Sequence, residues 1–273
     1  MSNAVAIADA RANRVGHQLY AGRARAIIER SLIALRSSTW VPVATGFVEP
    51  VLYLLAFGYG MGELIGNVTL GDKTIDYTVF IAPGLLATSA MNGAIYDSTW
   101  NVFFKLNESK LYQGMLATPL GPLDVALGEI TWALFRGLSY AIAFLAITAP
   151  LGLVPGVSAV LAIPAAVFIA FGFASFGMAI TSYMKNFQQM NWVNFFLLPM
   201  FLFSGTFFPV SVYPEWIQVI VKALPLCQGV DLVRSLMLGI IDINVLGHIA
   251  YFVVMIVLGL SFTTVRLKAL FMR

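Results

Sequence analysis

One cysteine, two histidines and few charges set the first limits on this sequence. Cys227 has no second cysteine to bridge, so no intrachain disulfide staples the chain. His17 and His248 lie far apart, with no thiols and carboxylates spaced around them as a metal-ligating set. No nucleophile stands at a suggestive spacing from a base, so a hydrolase or transferase is not expected. Residues 66–74 read Gly-x-x-x-x-Gly-Asp-Lys-Thr, one residue away from a phosphate-binding loop, but the inserted Asp72 puts negative charge where phosphate would sit. Only 11% of the residues are charged, against about 25% in ordinary soluble domains. The net charge of +3 is not gathered into a basic patch interleaved with aromatics, so nucleic acid is not an expected partner.

Apolar residues make up 59% of the chain. Runs of about 20 of them, the length that crosses a bilayer, use up most of the sequence. The expected fold is an all-α integral membrane protein in two parts: a segment over 1–38 carrying an amphipathic interface helix, and a transmembrane domain over 39–273. Spans are predicted at Thr39 to Gly60, Val79 to Phe104, Val125 to Leu151 and Ala159 to Tyr183. A fifth runs from Asn191 to the Ser204-Gly205-Thr206-Phe207-Phe208-Pro209 block, and a sixth from Val245 to Leu267. Between these two lie Pro214 to Leu224 and Gln228 to Leu238, each about 11 residues long and too short to cross. They are expected to form a re-entrant pair, because non-helical backbone at membrane depth needs protein or a water-filled cavity around it.

The positive charges give the orientation. Six arginines precede the first span, none of them flanking an apolar core of the signal-peptide kind. With the N-terminus in the cytoplasm, Lys105, Lys110, Lys185, Arg266, Lys268 and Arg273 also fall inside, leaving Lys73, Lys222 and Arg234 outside. Six spans with both termini cytoplasmic satisfy this bias. From His17 to Leu35, residues Tyr20, Ala24, Ile27, Ile28, Ser31, Leu32 and Leu35 share a stripe with arginines largely off it, the pattern of a helix lying in the membrane interface. Lys105 to Thr118 is a second short amphipathic piece, with Leu106, Leu111, Met115 and Leu116 apolar and Pro119 stopping it.

Charges inside apolar spans are costly unless paired or hydrated. Counting about 1.5 Å per residue from the cytoplasmic ends puts Glu49 and Arg136 about 15 to 18 Å deep, with Asp97 near 12 Å and Glu129 shallower. Equal depth makes Glu49 and Arg136 the expected partners, either as a structural ion pair or as a contact to substrate. Aromatics crowd the fifth span: Trp192, Phe195, Phe196, Phe201, Phe203, Phe207 and Phe208. Phe207 and Phe208 at its outer end suit a hydrophobic gate.

Three blocks carry a resemblance that covers nearly the whole chain after about residue 20. They are Ile81-Ala82-Pro83-Gly84-Leu85-Leu86; Thr118-Pro119-Leu120-Gly121-Pro122; and Ser204 to Pro209 with Pro214, Trp216, Pro225 and Asp231-Leu232-Val233-Arg234. In this order the sequence resembles the permeases of ATP-binding-cassette exporters of the type-2 membrane class, in the branch of lipo-oligosaccharide (nodulation-type), polyketide and daunorubicin-like drug exporters. The resemblance implies a permease of the bacterial cytoplasmic membrane that pairs with a second copy of itself and with two copies of a separate ATPase. This chain would bind no cofactor, ATP and Mg residing on the ATPase. It further implies that Glu108, Leu111, Tyr112, Met115 and Leu116, with Arg23 and Ile27, contact the ATPase. Phe196, Phe201, Phe203, Phe207 and Phe208 would line a pathway for an amphipathic substrate through a dimer in contact with membrane lipids. An ATP-independent channel or a proton-coupled carrier is the alternative reading, although no inverted repeat is visible.

Overall fold

A computed structural model describes residues 22–36, 48–70, 73–154, 156–240 and 242–271. The expected helix start at His17, residues 39–47 of the first span, and Asp72 lie outside these. Helix α1 spans Ala24–Arg36. It is followed by α2 (Val48–Ile65), a hairpin of β1 (Asn67–Leu70) and β2 (Lys73–Asp76), and α3 (Tyr77–Glu108). Then come the short α4 (Leu111–Leu116), α5 (Pro122–Thr148) and α6 (Ala162–Tyr183). Helices α7 (Met190–Phe203), α8 (Glu215–Ala223), α9 (Pro225–Met237) and α10 (Asn244–Phe271) complete the order.

The helix boundaries follow local chemistry. Asp76 caps α3 by accepting the Thr78 amide at 2.7 Å, and Gly66, at φ 68°, ends α2 in a conformation that costs glycine little. Asp124 reaches back to the Gly121 amide at 2.9 Å at the start of α5, with Pro122 in the first turn, where its missing N–H is no loss. The other carboxyl oxygen of Asp124 accepts the Arg23 amide at 2.9 Å, so one buried carboxylate fixes the start of both α1 and α5.

Helix α3 is the axis of the bundle, buried nearly throughout, while α2 and α10 expose most of their surfaces. Close approach is built from small residues. A Cβ on Gly58 would lie 2.7 Å from Thr78, one on Gly259 2.6 Å from the Ser175 backbone, and one on Gly137 2.9 Å from Ala170. With little hydrophobic drive between helices in lipid, such contacts are what hold a membrane bundle together.

Several expectations change. The first helix continues past Gly60 to Ile65, and the second past Phe104 to Glu108, so Lys105 belongs to the end of α3 rather than to a separate piece. The loop after α2 is a short β-hairpin, with Asn67 opposite Asp76, in a fold that is otherwise all-α as expected. Helix α7 has 14 residues, about 21 Å of rise against a core of about 30 Å. Five described helices, α2, α3, α5, the unit of α6 with its preceding turn, and α10, are long and apolar enough to cross a membrane; counting the bent α8–α9 pair as one span would make six. That pair breaks by 84° at Leu224, whose extended backbone lets Pro225 start a new helix.

Candidate functional site

The resemblance-bearing blocks meet in space. A Cβ on Gly84 of α3 would lie 2.9 Å from the backbone of Thr206, so the bare glycine is what lets the turn after α7 lie on α3. The turn itself is held by Ser204, whose Oγ bonds the Phe201 carbonyl at 3.0 Å and the Thr206 hydroxyl at 2.8 Å, and by Gly205 at φ 75°. Arg234 of α9, buried, donates to the Gly205 carbonyl at 2.7 Å, pairs with Asp231 at 3.3 Å and lies 4.2 Å over the Phe80 ring. A buried guanidinium needs carbonyl and carboxylate partners, and this one welds α9, the turn and α3 together.

Between α2, α3, α5 and α7 lies a cavity of about 560 Å³. Its polar lining is Glu49, Asn92 and Asn194; its aromatic lining includes Tyr53, Tyr96, Trp100 and Tyr140. It opens to the surface where Glu49, Tyr96 and Leu198 are exposed. Both helices at its mouth carry wide-turn π segments, Leu54–Tyr59 in α2 and Asp97–Asn101 in α3, a distortion that recurs at functional sites. Gly93 lets Tyr140 approach the wall, a Cβ there falling 2.8 Å from its ring.

Of the expected pathway residues only Phe201 lines this cavity. Phe207 is buried beside it in a cluster with Tyr53, Phe57 and Phe201, the nearest ring centroid being 4.8 Å away at Phe57. Phe208, its neighbour in sequence, is exposed, so the two expected gate residues differ in burial. Phe203 packs on Tyr213 at 5.8 Å, and Phe196 is exposed beside Phe195.

The expected pairing of Glu49 with Arg136 is corrected. Arg136 Nε lies 2.8 Å from Asp97 Oδ2, its guanidinium sits 5.5 Å over the Tyr96 ring, and the Asn101 amide donates to Asp97. Equal depth did not bring Glu49 to Arg136 because the cavity stands between α2 and α5. Glu49 instead lines the cavity one turn from Tyr53 on its own helix, and among the described residues no cation pairs with it. Glu129, also buried, takes Lys105 at 2.5 Å and Arg30 of α1 at 3.6 Å, joining α1, α3 and α5 at one end of the bundle.

The residues expected to contact an ATPase divide. Glu108 and Arg23 are exposed, and Leu111 is partly so. Tyr112, Met115 and Leu116 are buried in the bundle, and Ile27 packs on α5 where a Gly128 Cβ would lie 2.7 Å away. The apolar stripes of α1 and α4 therefore face the protein's own core as well as, for Leu32, its surroundings. Sequence reasoning missed Tyr53, Tyr96, Trp100, Tyr140 and Asn194 as cavity residues. Asn194 was findable as one of two amides, with Asn191, in an apolar run; the tyrosines read as ordinary membrane aromatics.

Several apolar spans around a buried charged interior define a multi-pass membrane protein. Comparison of sequences is more specific: residues 23–238 match the ABC-2 type transporter family, and the chain belongs to it. Nodulation protein J of Rhizobium leguminosarum bv. viciae is 29% identical over 249 residues, covering 91% of this chain and 95% of that protein. Nodulation protein J of Sinorhizobium fredii is 30% identical over 78% of this chain and 80% of its own length. The inner membrane transport permease YadH of Escherichia coli is 27% identical over 77% of this chain and 82% of its own. Members of this family are membrane transport permeases rather than catalytic subunits, and the family implies an ABC ATPase partner in general.

Proposed function

We propose that this chain is the permease subunit of an ATP-driven exporter that moves an amphipathic substrate out across the bacterial cytoplasmic membrane. The substrate class is a lipid-linked or lipo-oligosaccharide, a polyketide or a drug. The observation that carries the reading is a cavity that joins aromatic walls to amides and a carboxylate inside an apolar bundle, in a chain of a transport family. Such a lining suits a molecule with a polar head and an apolar body better than a bare ion.

In this reading α7 is the fifth of six spans and α8–α9 an outer re-entrant pair, with both termini cytoplasmic. Residues 1–38 form the cytoplasmic segment with the interface helix, and 39–273 the transmembrane domain. The exposed aromatic face of α7, Trp192, Phe195 and Phe196, supports a second copy of the chain opposite it, with lipid around the pair. Two copies of a separate ATPase hold ATP and Mg. Their closure pushes on exposed Glu108, Gln113 and Arg23, and buried Tyr112, Met115, Leu116 and Ile27 carry the push into α3 and α5. Rigid-body movement of these helices against α2 and α7 then opens the cavity outward.

The test is reconstitution of the chain with its ATPase in vesicles, offering total lipid and small-molecule extracts and identifying what accumulates by mass spectrometry. Accumulation that requires ATP and a hydrolysis-competent ATPase is expected. Equal accumulation without ATP, or driven by a proton gradient alone, would replace the exporter with the channel or carrier reading.

A further inference from the structure

The charges around the cavity are unequally satisfied. Asp97 is neutralised by Arg136, and Glu129 by Lys105 and Arg30. Glu49 lines the cavity, and among the described residues no cation pairs with it. Arg136 is not part of the lining; its guanidinium lies behind the wall, paired with Asp97 at 2.8 Å and 5.5 Å from the centre of the lining Tyr96 ring. The cavity therefore presents one carboxylate with no cation among the described residues, the amides of Asn92 and Asn194, and the faces of Tyr53, Tyr96, Trp100 and Tyr140. A carboxylate among apolar helices is costly unless water or a ligand satisfies it, and Glu49 is exposed where the cavity opens to the surface.

We propose that this cavity is a headgroup site for neutral or cationic hydrogen-bonding groups, and that Glu49 is the residue that selects against anionic ones. The inference rests on the export reading and adds to it the chemistry of the substrate's head. The two amides supply both donors and acceptors, which matches hydroxyl- or amine-bearing groups. Electron-rich ring faces attract ammonium groups and pack against apolar faces. A phosphate or carboxylate meets like charge at Glu49 and finds no lining cation in return. At a few ångströms in a partly hydrated site, that repulsion is worth about tenfold or more in affinity.

The test uses the full chain in phosphatidylcholine nanodiscs and three probes with one tail: decyl maltoside, decyltrimethylammonium and decyl phosphate, each below its micellar concentration. Saturable binding is read by competition against radiolabelled decyl maltoside, with empty nanodiscs subtracted. Decyl maltoside and decyltrimethylammonium should compete, and decyl phosphate should be about tenfold weaker. In Glu49→Gln the anion should come within about threefold of the cation, with decyl maltoside little changed. Asn194→Asp, which adds a second carboxylate at an exposed wall position, should widen the preference for the cation. Decyl phosphate competing as well as the cation in the unaltered chain would overturn the proposal, as would an unchanged cation-to-anion ratio in Glu49→Gln. If that variant does not give monodisperse protein, Asn194→Asp decides, an unchanged ratio again counting against the site. No ATPase or ATP is present, so loss of selection refutes the site alone, whereas loss of ATP-dependent transport with selection intact refutes the export reading.

Discussion

Arg136 and Asp97 form an ion pair inside the bundle, and its arithmetic is testable. Removing one member of a buried pair leaves the other charge uncompensated, at about 3–5 kcal/mol. Asp97→Asn and Arg136→Gln should each lower the thermal midpoint of the detergent-solubilised protein, and the double variant should cost less than the sum. Additive losses would show that the two side chains are not coupled. At the same scale, neighbours in sequence part company in space. Phe207→Ala removes a buried ring packed on Phe57 and Phe201 and should cost about 3–5 kcal/mol, while exposed Phe208→Ala should stay below about 1 kcal/mol. The same unfolding measurement checks both. Composition and depth could mark these residues as unusual but could not pair them, since pairing depends on which face of each helix meets which neighbour.

Among the elements, the contact of α3 with the turn after α7 is the most constrained. A Cβ at Gly84 meets backbone at Thr206, which cannot rotate away as a side-chain end could. Gly84→Val should therefore destabilise by about 1–3 kcal/mol and loosen the turn, raising its hydrogen exchange. Gly60→Ala, where nothing lies within 4 Å, is the control and should be neutral or slightly stabilising, since alanine favours helix by about 1 kcal/mol. Equal losses in both would mean that the glycines serve the helices rather than the contact. The Pro83-Gly84 and Ser204 to Pro209 blocks were legible as special segments. Their meeting was not, because it brings together residues more than a hundred positions apart.

For the whole molecule, the division between buried and exposed residues of α4 predicts how the chain meets its ATPase. A cysteine at exposed Gln113 should cross-link to the ATPase, whereas one at buried Met115 should not. Mapped by mass spectrometry, the reverse result would mean that α4 turns over in the complex. Tyr112→Ala should lower the stability of the permease itself, because its ring is fully buried.

Membrane embedding, five of the six expected long helices and the break at Leu224 followed from the sequence itself, whereas the expected fifth span is a helix of only 14 residues. Long apolar runs have few stable alternatives to the helix in lipid, and proline enforces its breaks locally. The hairpin at 67–76 was missed, since its short strands carry no long apolar run to betray them. What only tertiary structure decided was the partnership of charges and the lining of the cavity. Glu49, Asn92, Tyr140 and Asn194 come from four helices, and no periodicity along one helix says which faces of the other three it will meet. The packing of glycines against neighbouring helices helped fix those faces, and with them the one carboxylate left facing the cavity without a cation among the described residues.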